Sequence, residues 1–201
     1  MLGSKLQNVG LPFPTSVFNG RDICRMQLLD GSNFFFGNFT TVMIHADIVR
    51  SRRPFFPLGT YNEDTESCYQ TLRDWDFGFV HQVLSFTRAD NESLSKAIAH
   101  FRPELADYLI AIKRYGPWYL NEHELTKRLA QIENTYFRYL GHAALVRREA
   151  AFWSFQREGL RIAGYEMPKP TIAKYAVKEL FLFLMSPRRL VAKLFASKQS
   201  R

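Results

Sequence analysis

Cysteine is scarce in this sequence: Cys24 and Cys68 are the two in 201 residues, and they form no closely spaced pair. That excludes a disulfide framework and a zinc knuckle, and both are expected as buried, reduced thiols of a cytosolic protein. No apolar run approaches the ~20 residues that carry a helix across a bilayer; the longest, residues 180–185, is a fragment of that length. Residues 1–14 lack an apolar core flanked by basic residues and a small-residue cleavage site, so no export signal is expected. No fixed-period repeat or low-complexity tract occurs, which argues against a solenoid or an array.

What is present is the composition of a folding chain, 46% hydrophobic, 15% aromatic and 23% charged. The net charge of +8 is unevenly spread. From Lys169 onward there are eight Lys/Arg against the single acid Glu179, while the first 168 residues are nearly balanced, with 19 basic and 18 acidic side chains. The body therefore has no electrostatic reason to seek polyanions, and the basic signal belongs to the end alone.

The texture changes once. Up to about Asn91, short β-rich runs mix with Gly, Pro, Asn and Asp; beyond Glu92, helical patterns follow one another. The expected division is residues 1–92 and 93–201. In the first part the patterns predict helices over 22–29, 46–52 and 63–75, and strands over 33–36, 40–45, 77–80 and 82–87. In the second they predict helices over 93–101, 103–115, 122–145, 149–164 and 171–185. Pro103 and Pro170 sit where a helix can start without losing a needed N–H donor.

The stretch with chemical content is Thr60-Tyr-Asn-Glu-Asp-Thr-Glu-Ser, which places Glu63, Asp64 and Glu66 at the mouth of a helix. The positive potential of a helix amino terminus favours carboxylates, and general bases are drawn from such groups. Acids in a first turn are also ordinary helix capping. His81, between apolar runs, reads as a hydrogen-bonded structural residue rather than a ligand or base. Asp74-Trp-Asp76 follows a helix and reads as a turn.

Three segments carry a resemblance: LPFPTSVFNGRDICR, FFFGNFTTVMIHADIVRSRRPFF and NEDTESCYQTLRDWDFGFVHQVLSFTRADNESLS, together spanning about Leu11 to Ser95. They resemble the family 2 glycosyltransferases, inverting enzymes of the GT-A fold, and Glu63-Asp64-Thr65-Glu66 stands at the family's E-D-x-[DE] element. The resemblance implies an α/β fold, a partial GT-A-like mixed sheet with flanking helices, followed by the helical extension. It implies Asp64 as the general base for transfer of a sugar from a nucleotide-sugar donor to an acceptor hydroxyl, with Glu63 and Glu66 supporting. Gly37 and Thr40 fall in its acceptor-side FG-x-x-[ST] element, although Asn38-Phe39 stands where Ser-Pro is commoner. Arg88 matches a basic residue that approaches the diphosphate; it also reads as a surface arginine closing a strand.

In that family an amino-terminal βαβ half ends in an Asp-x-Asp element that holds Mg²⁺ or Mn²⁺ on the diphosphate. No such element precedes Leu11, and no residues here are identified as metal ligands. The chain is therefore expected to be the carboxyl-terminal portion of such an enzyme, inactive by itself and needing the missing amino-terminal half. The alternative is an inactive remnant, or a binding or membrane-associating module. Residues 169–201 read either as an amphipathic basic segment at a membrane surface or as a packed helix with a solvated tail. Nucleic acid is not expected as a partner, because aromatics and charges do not alternate there. The expected location is the cytoplasm, with the inner face of the membrane as the peripheral variant.

Overall fold

The computed structural model describes residues 11–30, 36, 40–57, 62–86 and 98–185. Seven α-helices lie among these residues: α1 (Gly20–Asp30), α2 (Ala46–Ser51), α3 (Glu63–Thr71), α4 (Pro103–Tyr119), α5 (Glu122–Leu145), α6 (Ala150–Ile162) and α7 (Lys169–Leu184). A 3₁₀ turn, Ala99–Phe101, precedes α4. Strands β1 (Val17–Phe18) and β2 (Phe77–Gly78) pair antiparallel, with Val17 opposite Gly78 and Phe18 opposite Phe77.

This architecture corrects the expected α/β fold: the described residues are mostly helical, and their one sheet is a two-stranded ribbon rather than a GT-A-like mixed sheet. Of the four predicted strands, 77–80 is realised only as β2, residues 40–45 and 82–86 are irregular, and residues 33–35 lie outside the described residues. The reason is the absence of partners. β-branched and aromatic residues favour a strand only when cross-strand neighbours cover them. Here Met43, Val83, Leu84 and Phe86 stand exposed, with no strand beside them among the described residues. Beyond β2 the ribbon is prolonged by single contacts: Phe79 N–H donates to Ser16 O at 2.8 Å, and His81 Nε2 lies 2.6 Å from Thr15 O. The helices fare better. The pattern over 122–145 is α5 to the residue, while α3 stops at Thr71, short of the expected Trp75.

The chain divides into two compact units, Met1–Leu129 and Ala130–Arg201, and the division falls within α5. The boundary expected at residue 92 lies outside the described residues.

In the first unit the core is α1 against α4. Ile23, Cys24, Gln27 and Leu28 recur at one- and four-residue steps and form the buried stripe of α1. Leu105, Leu109, Ile112, Gly116 and Tyr119 form the buried stripe of α4 at alternating four- and three-residue steps. The Cys24 and Cys68 thiols are buried and pushed up to about 12 by desolvation, the state of inert core thiols. Gly20 permits the closest approach. A Cβ there would lie 2.0 Å from Trp75 O and 2.5 Å from Leu72 O, so only hydrogen fits between α1 and the chain that leaves α3.

In the second unit Tyr136, Leu140, Phe152 and Leu160 are fully buried. The buried amide of Gln156 accepts the Tyr136 hydroxyl at 2.6 Å, which satisfies two polar groups that would otherwise be costly inside. α7 lies directly on α5: a Cβ at Gly141 would meet Tyr175 Cβ at 2.7 Å and Ala176 N at 2.8 Å.

Candidate active site

Glu63, Asp64 and Glu66 occupy the first turn of α3, and their exposures differ sharply. Glu63 and Asp64 are half-buried, whereas Glu66 is buried at 4%. Asp64 Oδ1 accepts the Thr65 N–H at 2.8 Å, and the Ser67 hydroxyl donates to Asp64 O at 2.7 Å, which ties the turn to its own side chains. Asp64 Oδ2 makes no hydrogen bond among the described residues.

Glu66 has a different task. Its Oε2 accepts Arg114 Nη1 at 2.9 Å and the Tyr115 hydroxyl at 2.7 Å, and Gln70 Nε2 donates to that hydroxyl at 3.2 Å. A buried carboxylate survives only when its lone pairs are matched this fully. Burial and the adjoining carboxylate push the Tyr115 phenol well above its ordinary value, so it stays a donor. Around this pair Tyr69 stacks on Tyr115 with ring centroids 4.9 Å apart, Phe36 meets Tyr69 edge-on at 5.0 Å, and the Tyr119 hydroxyl donates to Tyr69 O. Glu66 thus clamps α3 to α4, and Asp64, two residues earlier, is held by that clamp.

The group that sequence reasoning missed is Asp107 on α4. It is half-buried, and burial pushes its carboxyl up to about 7. The neighbouring carboxylates of Glu104, Glu66 and Asp64 push in the same direction, against a hydrogen bond from Asn62 that favours the ionised form. Asn62 directly precedes α3, and its side chain does not cap that helix. Asp107 and Arg114 are seven residues apart, two turns along one face, so α4 presents a carboxyl and a guanidinium towards the α3 terminus. That spacing was the available signal. It falls in the part of the chain that the sequence assigns to a separate helical extension.

Arg52, just after α2, is a second addition. Its guanidinium lies 4.5 Å over the Phe55 ring, and its Nε and one Nη are buried without a hydrogen-bond partner among the described residues. Desolvation pulls its pKa below the ordinary arginine value. Of the residues expected on the substrate side, Thr40 is exposed in a turn, and Gly37 and Arg88 lie outside the described residues. The segment His45-Ala-Asp-Ile-Val-Arg50 becomes α2, with His45 Nδ1 accepting the Asp47 N–H at 3.3 Å and no residue of the helix buried.

The divalent cation implied by the resemblance does not fit these residues. Glu66 is committed to Arg114 and Tyr115, and Asp107 shares its carboxyl with a proton near neutral pH. Among the described residues no group of three His, Cys, Asp or Glu is arranged to hold an ion, so no chemical step is assigned to a metal.

The arrangement can accept a proton. A half-buried carboxylate whose Oδ2 makes no hydrogen bond among the described residues sits at a helix terminus, within electrostatic range of a second carboxyl that burial pushes up to about 7, and perturbed carboxyls are frequent in acid–base sites. No family model, curated protein or solved structure matches the chain. The reading of the site therefore rests on its own chemistry.

Proposed function

We propose that this chain carries the acceptor-activating portion of an inverting glycosyltransferase. The observation that bears the weight is the arrangement at the start of α3: Asp64 half-buried with Oδ2 making no hydrogen bond among the described residues, on a turn fixed through buried Glu66 to Arg114 and Tyr115, and within electrostatic range of Asp107. The E-D-T-E sequence at that turn supports the same assignment. The proposal does not invoke a GT-A sheet, which the described residues lack.

In this reading Asp64 takes the proton of an acceptor hydroxyl as the oxygen attacks the anomeric carbon of a nucleotide-sugar. The new C–O bond forms on one face while the bond to the diphosphate breaks on the other, releasing a nucleoside diphosphate and inverting the centre. Asp107 retains a proton over part of the working range, which limits like-charge repulsion against Asp64. Glu63 borders the same turn, and Glu66 positions it. The donor is held by residues other than these, supplied by a nucleotide-binding half.

The test is release of nucleoside diphosphate from a panel of nucleotide-sugars, with Mg²⁺ or Mn²⁺, by the chain together with such a half. Replacing Asp64 by Asn is expected to lower kcat by roughly 10²–10⁴-fold, the usual worth of a general base, while leaving the melting temperature nearly unchanged. Turnover that survives this substitution would refute the assignment.

A further inference from the structure

The second unit carries a feature that glycosyl transfer does not use. α7 is seated on α5 by one side only: Ile172 is buried, Tyr175 donates to Asn134 Oδ1 at 2.9 Å, and Arg138 Nε donates to Glu179 Oε1 at 2.5 Å. The opposite side is not polar, as a solvent-facing helix would require. Val177, Phe181 and Leu184 follow one another at four- and three-residue steps along it, at 68%, 61% and 59% exposure. Met185 continues this side just past the helix end, and Lys174 and Lys178, both exposed, flank the stripe.

The charge on this face has one sign. Glu179 is the only acid from Lys169 to the end of the sequence, and it is turned inward onto Arg138 with 13% of its side chain exposed. The outward side of α7 is therefore apolar and cationic together, and the sequence after Met185 adds five Lys/Arg and no acid. A protein partner that buried this face would have to bring acidic groups to meet the lysines. An anionic bilayer offers both components at once: acyl chains for the apolar stripe and headgroups for the cations beside it. No helix of the described residues is long and apolar enough to cross a membrane, so contact is along the surface.

We propose that the outer face of α7 docks the protein onto an anionic lipid surface, with Val177, Phe181 and Leu184 entering the interface and Lys174 and Lys178 meeting the headgroups. The proposal is independent of the catalytic reading.

The experiment is co-sedimentation of the full chain with phosphatidylcholine vesicles and with vesicles that also contain phosphatidylglycerol. Binding to the mixed vesicles alone, weakened by salt, is the expected result. Phe181→Glu with Leu184→Glu is expected to abolish it, and Lys174→Glu with Lys178→Glu to lower the partition coefficient by at least roughly tenfold. Both pairs point away from α5, and far-UV circular dichroism should show an unchanged helix content. No pelleting with anionic vesicles overturns the proposal. So does pelleting indifferent to the Phe181/Leu184 pair in a folded variant. Light scattering that shows a dimer, dissolved by that pair without any lipid binding, would assign the face to a second copy of the chain instead and equally overturn it.

Discussion

Asp107 is a half-buried carboxyl whose proton affinity differs between the folded and unfolded chain. Its folded-state pKa of about 7 lies above the ordinary aspartate value, so the native state holds this proton more tightly than the unfolded chain does. Stability from this group is full below pH ~4 and is lost as pH rises towards 7, the window between the two values. Replacing Asp107 by Asn removes the titration. The variant is expected to gain roughly 1–3 kcal/mol over the parent at pH 8 and little at pH 4, as read by urea denaturation at the two values. What is legible in the sequence is the placement of Glu63, Asp64 and Glu66 in a first helical turn, because first-turn acids are a local pattern. The approach of Arg114 and Tyr115 to this turn is not legible there, because α4 meets α3 through tertiary packing between residues 48 and 49 positions apart. The interaction that separates Glu66 from Asp64 in role is of that long-range kind.

At the level of elements, helices are legible in the sequence and strands are not, for one physical reason. A helix closes its backbone hydrogen bonds within itself, so the 3.6-residue pattern of α5 is enough to define it. A strand needs a neighbour that the sequence does not name, and residues 82–86 have none among the described residues. Packing between elements depends on equally non-local detail. The contact of α7 with α5 relies on Gly141, where any side chain would press on the backbone and Cβ of residues 175 and 176. Gly141→Val is expected to cost roughly 1–3 kcal/mol through overpacking and displacement of α7, which a shift in the urea midpoint would register. An unchanged midpoint would show that α7 is not seated there.

For the molecule as a whole, charge and burial are divided along the chain in different ways. The two compact units each bury their own apolar cluster, but nearly all of the excess positive charge lies in the region from Lys169 onward, with eight Lys/Arg against one acid. Ending the chain after Met185 removes five basic residues and no acidic one. The shortened protein is expected to leave a cation-exchange column at clearly lower salt than the parent. Coincident elution would mean that the terminal cations are already neutralised by the body.

Position 20 admits one letter of the alphabet. With two main-chain oxygens standing where a methyl group would go, neither a smaller nor a more flexible substitute exists to relieve the crowding. A library of all amino acids at this codon, sorted for folded protein, should return glycine almost exclusively, and recovery of alanine at comparable frequency would mean that the segment around Trp75 yields more easily than its geometry suggests.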